Sequence, residues 1–260
     1  MNLNFFKYHG AGNDFILIDN RGKARHFSNR EIQKLCSRHF GIGSDGLILI
    51  QDHPFHDFKM IFYNPDASQS FCGNGSRCAV QFAFDQKIIS NNFTTFESTN
   101  GIYRAEILSS GEIDIQLQTC DNYEVSKQFI YLNTGSPHVI IETNNAHEIP
   151  IVSEAHKIRY NKPFEAEGVN VNFVETINHK TILMRTYERG VENETLSCGT
   201  GVTAAALSRS LISNQKGSHT INVETKGGKF TVRYFFDGKS FTKIHLIGPA
   251  EWVYCGTVSI

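Results

Sequence analysis

Short runs in which apolar residues alternate with polar ones, or which are rich in β-branched and aromatic residues, dominate the chain. They predict strands at "FILID" (15–19), "LILIQ" (47–51), "KMIFY" (59–63), "IYRAEIL" (102–108) and "EIDIQLQ" (112–118). Further strands are predicted at "HVIIE" (138–142), "TILMRTYE" (181–188), "HTINVET" (219–225) and "KFTVRYFF" (229–236). The turn signals "KGGK" (226–229) and "DGKS" (237–240) separate the later ones. Helical patterns are fewer. "SNREIQKLCSRHF" (28–40) opens with a capping box, Ser28 followed three residues later by Glu31. "GNGSRCAVQFAFDQK" (73–87) and "GTGVTAAALSRSLI" (199–212) are apolar or small around most of their circumference. Helices of that kind belong inside a protein. Two of them among many strands predict two sheets, each wrapped around one helix.

The pattern also repeats itself at about half the chain length. "YNPDASQSFCGNG" (63–75) aligns with "YERGVENETLSCGTG" (187–201), "GAGNDFILID" (10–19) with "NTGSPHVIIE" (133–142), and "SDGLILI" (44–50) with "VNVNFVE" (169–175). The order is the same and the offset nearly constant, which argues for a duplication. We therefore expect an α/β (α+β) fold of two pseudo-symmetric halves. The expected division is 1–119, 120–249, and a terminal strand at 250–260 returning to the first half.

Bulk composition narrows the partners. The 260 residues carry a formal net charge of −1, with no basic surplus to suggest nucleic acid. The start of the chain lacks a signal-peptide pattern, and no run approaches the roughly 18 apolar residues that span a bilayer. A cytoplasmic protein with a small-molecule partner, and no membrane partner, is the expectation. Six cysteines are scattered without a Cys-x-x-Cys motif. Cys36, Cys78, Cys120 and Cys255 read as small buried hydrophobes.

Cys72 and Cys198 differ. Each stands before a Gly-x-Gly turn that opens an apolar helix, where backbone amides and the helix dipole favour an anion and lower a thiol's pKa. A duplicated fold sets the two in equivalent places. A small carboxylate gripped by both helix N-termini would hold its α-carbon between two sulfurs, one removing a proton and the other delivering one. No short ligand spacing points to zinc. A cysteine hydrolase built from Cys72, His138 and an asparagine would leave Cys198 without a role.

The motifs "KYHGAGNDF" (7–15), "RHFGIGSDG" (38–46), "FYNPDASQSFCGNGSRC" (62–78), "GSPHVI" (135–140), "GVNVNFV" (168–174) and "RTYERGVENETLSCGTG" (185–201) carry a family resemblance. The chain resembles the diaminopimelate epimerases, which invert one centre of LL-diaminopimelate to give the meso isomer without a cofactor or metal. The resemblance implies that Cys72 and Cys198 form the thiol/thiolate pair. It implies that Gly73, Asn74, Gly199 and Thr200 hold the reacting carboxylate. Asn13, Asn64, Asn170, Glu188 and Arg189 match positions that bind the ammonium groups and the distal carboxylate. Ser136 and His138 are expected just behind that layer, and a homodimer is the expected assembly. Ser136 replaces the asparagine usual in this family, Gly168 replaces an arginine, and the loop at 191–193 is one residue longer than the common form. The remaining readings are a racemase of histidine, proline or hydroxyproline on the same fold, and a non-catalytic amino-acid-binding protein. "GIGSDG" (41–46) fits a dinucleotide fingerprint, but a helix precedes it and a strand follows, so we read it as a helix-ending turn with Asp45 exposed.

Overall fold

Strands β1 (Asn2–Gly10) and β2 (Asn13–Asp19) form an antiparallel hairpin that turns at Ala11 and Gly12, both with positive φ. The structure is a computed structural model and describes residues 2–22 and 25–259. β3 (Gly46–Gln51) lies parallel to β2, β4 (Phe58–Tyr63) antiparallel to β3, β5 (Phe93–Ser98) parallel to β4, and β6 (Gly101–Ile107) antiparallel to β5. Parallel neighbours need a crossover. Helix α1 (Asn29–Cys36) makes the first and α2 (Gly73–Asp85) the second.

The two helices take opposite faces of the sheet. Ile16, Ile18, Leu47 and Leu49 pack with Ile32, Leu35 and Cys36 of α1. The alternate residue Ile48 approaches Gly75 of α2. Strands covered on both faces have no polar side, which is why "FILI" and "LILI" are continuous apolar runs. α2 packs against β1, β2, β3, β4 and β6, and Phe82 meets the rings of Phe6 and Tyr8 edge-on at 5.1 and 6.0 Å.

β7 (Ile113–Gln116) is followed by a second compact unit. β8 (Tyr123–Val125) pairs antiparallel with β9 (Ile130–Asn133), and β9 antiparallel with β10 (Pro137–Thr143). β10 runs parallel to β11 (Asn170–Asn178), and α3 (Ile151–Arg159) lies between them in the chain. β12 (Thr181–Glu188) is antiparallel to β11 and to the short β13 (Asn193–Thr195). After α4 (Gly199–Ser213), β14 (Gly217–Thr225) lies parallel to β12, with β15 (Gly228–Phe236) and β16 (Phe241–Gly248) following antiparallel. From β9 to β15 the pairings run antiparallel, parallel, antiparallel, parallel, antiparallel, the order seen from β1 to β6. Helices occupy the same crossovers, and α3 packs its Ile151 and Ala155 on Val139, Val171 and Phe173 as α1 does on its own strands.

The last strand, β17 (Glu251–Ser259), pairs antiparallel along β1, from Asn2 opposite Ser259 to His9 opposite Glu251. One unit therefore gathers the residues up to Ile115 with those from Gly248 onward, and the other is Gln116–Ile247.

Three local readings change. The helix predicted to reach residue 40 stops at Cys36, where Ser37 turns extended. The chain then folds back so tightly that a Cβ on Gly41 would lie 1.8 Å from the Lys34 carbonyl oxygen. α3 gave no clear signal because its buried residues reduce to Ile151 and Ala155. Cys255 is exposed rather than buried, since β17 leaves most of its side chains in solvent. Among the described residues no helix is long and apolar enough to cross a membrane.

Candidate active site

Each Cys-Gly-x-Gly turn puts its cysteine at the N-cap of the unit's central helix. Cys72 (φ −131°, ψ 109°) and Cys198 (φ −128°, ψ 112°) share one backbone conformation. Gly73 and Asn74, and likewise Gly199 and Thr200, are then the first two helical residues. First-turn amides have no partner within their own helix and point outward at the positive end of its dipole.

In the first unit the Cys72 sulfur accepts from the Gly75 amide at 3.3 Å and lies 3.9 Å from Asn13 Oδ1. Donors and acceptors fix the orientation of both nearby amides. Buried Arg77 donates to Asn74 Oδ1 at 2.8 Å, so the Asn74 amide nitrogen turns to Asn13 Oδ1 at 3.1 Å. Asn13 Nδ2 donates in turn to Asp45 Oδ2 at 2.8 Å. Arg38 holds Asp45 and Asp14 together. Asp45 is thus no idle turn residue: it orients Asn13. The Arg77 guanidinium also donates to the carbonyls of Gly73 and Pro249. Burial pulls its pKa down to about 10, while thiolates at Cys78 and Cys72 would push it up. It remains a cation at neutral pH, and a Cys72 thiolate and Arg77 favour one another.

In the second unit the Cys198 sulfur lies 3.4 Å from Thr200 Oγ1. That hydroxyl meets Ser136 Oγ at 3.1 Å and His138 Nε2 at 2.9 Å, and Ser136 Oγ is itself 2.9 Å from His138 Nε2. Asn172, behind the ring, settles the tautomer. Its Oδ1 accepts from Thr186 and its Nδ2 donates to the Val139 carbonyl, so Nδ2 also donates to His138 Nδ1 at 3.1 Å. The ring proton therefore sits on Nε2, facing Thr200 and Ser136. Burial, with the Arg189 charge adding to it, pulls the His138 pKa down to about 3, and the ring is neutral at physiological pH.

Asn170 Nδ2 donates to Ser136 Oγ at 3.2 Å and its Oδ1 accepts the Arg189 amide at 2.9 Å. Arg189 is exposed, with Nη1 on the Glu167 carbonyl. Glu188 ends β12 and accepts from the Thr195 hydroxyl at 2.8 Å. Cys72, Asn74 and Asn13 thus form one cluster, and Cys198, Thr200, Ser136, His138, Asn170 and Arg189 another. Asn64 does not join the first: its amide turns back onto Ser68 and Ser70 of its own loop. Arg77 and Asn172 were not singled out in the sequence, and Asp45 was read there as an exposed turn residue rather than as the partner of Asn13. Arg77, a charge inside an otherwise apolar helix, was the one visible signal. Among the described residues no group of three or more His, Cys, Asp or Glu is placed to hold a metal ion.

The family model described as diaminopimelate epimerase matches residues 5–121 and 130–253. The chain is 43% identical over 258 residues to the diaminopimelate epimerase of Flavobacterium psychrophilum, covering 98% of this chain and 100% of that one. It is 38% identical to that of Aquifex aeolicus over 283 residues, covering 99% and 98%. Among solved structures it is similar to a Bacillus anthracis phenazine biosynthesis protein of the PhzF family, with TM-score 0.75 and 16% identity over the whole of both chains. A hydroxyproline epimerase from Agrobacterium vitis has TM-score 0.72 and 15% identity, covering 99% of this chain and 92% of that one. At such identities the structural likeness speaks for the fold.

Proposed function

The chain belongs to the diaminopimelate epimerase family and is an isomerase acting on diaminopimelate, and we propose that it works through the thiols of Cys72 and Cys198. One cysteine, as thiolate, removes the α-proton. The other, as thiol, returns a proton to the opposite face, so LL-diaminopimelate becomes the meso isomer and the two sulfurs exchange protonation states. Two general bases of matched type serve both directions of the reaction. The first-turn amides at Gly73, Asn74, Gly199 and Thr200 take the reacting carboxylate and stabilise the charge that grows on it as the proton leaves. Neither pyridoxal phosphate nor a metal enters this scheme, because the helix ends supply the electrostatic help.

The observation that carries this reading is the equivalence of the two N-caps, a cysteine in one backbone conformation at the head of each unit's central helix. Arg77 on one side supports a thiolate. The Thr200 hydroxyl on the other lies within hydrogen-bonding reach of the second sulfur. Asn13, Asn64, Asn170, Glu188 and Arg189 bind the ammonium groups and distal carboxylate, while Ser136 and His138 orient Thr200. The names of the relatives do not favour a racemase of proline, hydroxyproline or histidine. We place the protein in the cytoplasm, as a homodimer, in the synthesis of lysine and peptidoglycan precursors.

Proton NMR of LL-diaminopimelate in D2O tests the scheme. The α-proton signal should fade as the meso isomer forms, and both Cys72→Ala and Cys198→Ala should abolish exchange. Full exchange in either variant would refute the paired-thiol mechanism.

A further inference from the structure

Asn172 stands where an apolar residue is the ordinary choice. β11 is covered on both faces: Val171 and Phe173 pack with Ile151 and Ala155 of α3, and Asn172 meets α4, where a Cβ on Gly201 would lie 2.7 Å from its Oδ1. The side chain is wholly buried, so its polar atoms need partners. Thr186 Oγ1 donates to Oδ1 at 2.9 Å. The two Nδ2 hydrogens go to the Val139 carbonyl and to His138 Nδ1, both at 3.1 Å. A carbonyl can only accept, so Val139 fixes which end of the carboxamide is nitrogen, and Asn172 meets the ring as a donor.

The consequence runs outward to Cys198. His138 carries its proton on Nε2 and donates between the Thr200 and Ser136 hydroxyls, each 2.9 Å away. Ser136 Oγ also accepts from Asn170 Nδ2 at 3.2 Å, so its own hydrogen turns to Thr200 Oγ1 at 3.1 Å. Two donors thus fill the lone pairs of the Thr200 oxygen. What that oxygen has left to give is its hydrogen, and the Cys198 sulfur lies 3.4 Å away. A hydroxyl that only donates favours a thiolate over a thiol.

We propose that Asn172 is a positioning residue: it holds His138 as a donor and so makes the Thr200 hydroxyl a donor to Cys198 in the state where that sulfur is the base. This rests on the paired-thiol reading above for the role of the sulfur, though not for the direction of the hydrogen bonds. In serine proteases, putting asparagine for aspartate beside the catalytic histidine selects the other tautomer and costs about 10⁴ in kcat. Here the native residue is the asparagine, and a carboxylate in its place accepts from Nδ1 and reverses the series.

The test compares the wild type, Asn172→Asp, Thr200→Val and the double variant in mildly alkaline buffer. Nitrogen NMR reads the His138 tautomer. Thiolate absorbance, taken as the difference from the same protein carrying Cys198→Ser, reads the ionisation of Cys198, and steady-state kinetics give kcat and KM. Asn172→Asp should move the imidazole proton from Nε2 to Nδ1. It should lower the ionisation constant of the Cys198 thiol about 10-fold, the worth of one hydrogen bond to a charged group, and cut kcat by a similar factor with KM nearly unchanged. Thr200→Val should lower the ionisation constant to the same extent, and adding Asn172→Asp to it should change little. An aspartate acting on the sulfur directly through its charge would keep its effect without the hydroxyl, whereas a relayed effect is lost. A proton remaining on Nε2 in Asn172→Asp, an unchanged Cys198 in Thr200→Val, or an aspartate effect undiminished in the double variant would each overturn the proposal. If Asn172→Asp does not fold, the Thr200→Val comparison decides alone. If the wild type fails to invert diaminopimelate, the isomerase reading fails, and the NMR and absorbance measurements still decide what Asn172 does.

Discussion

His138 provides a prediction whose size follows from its surroundings. In an unfolded chain its pKa is about 6.5, and in the folded protein burial, aided by Arg189, holds it at about 3. Between those values the unfolded chain binds a proton that the folded one refuses. Stability from this residue is therefore complete above pH 6.5 and is lost as the pH falls toward 3. Each pH unit in that window is worth about 1.4 kcal/mol, so going from pH 7 to pH 4.5 removes about 2.5–3 kcal/mol. Urea unfolding of the wild type and His138→Gln at both pH values isolates the contribution, because every other titrating group is common to the two. The variant should start lower by about 1–3 kcal/mol at pH 7, having lost the ring that links Asn172 to Thr200. It should then fall less steeply, by about 2–3 kcal/mol, on acidification. Parallel losses in the two proteins would refute the neutral buried ring. Nitrogen NMR of the imidazole at pH 6 should show the proton on Nε2 alone, and an imidazolium spectrum there would refute it equally.

Other expectations follow from close contacts. Gly201→Ala should cost about 1–3 kcal/mol and most of the activity, because its Cβ would lie 2.7 Å from Asn172 Oδ1 and 3.2 Å from His138 Cε1. Gly75→Ala should be milder in urea melts, since the nearest atom is the end of the flexible Ile48 side chain at 3.1 Å. Asp45→Asn should raise KM several-fold with little change in melting temperature, as Asn13 loses the carboxylate that orients it; steady-state kinetics decide it. Arg77→Met should lower stability by about 2–4 kcal/mol despite its apolar surroundings, because Asn74 Oδ1 and the carbonyls of Gly73 and Pro249 lose a charged donor.

The helix-capping cysteines were legible because glycine, cysteine and an apolar run are local signals. The capping box at Ser28 and Glu31 forms as expected for the same reason. The duplicated order of strands was legible too, since covering a strand on both faces writes an unbroken apolar run. What holds the site was less visible. Asp45 resembled any turn aspartate until its carboxylate met Asn13, 32 residues away in sequence. Asn172 alternates with Val171 and Phe173 along β11 and gives no sign that it faces an imidazole. Asn64 turns onto its own loop because Ser68 and Ser70 offer nearer partners than the helix end does.

The pairing of β17 with β1 has a bearing on how the molecule is made. Synthesis runs from β1 to β17, and the whole of Gln116–Ile247 lies between them. On the ribosome the inserted unit can complete its own sheet while β1 still has one row of backbone groups unmatched. That open edge is available to any passing strand until the last strand emerges. The Cys72 half, although translated first, is the last to be sealed.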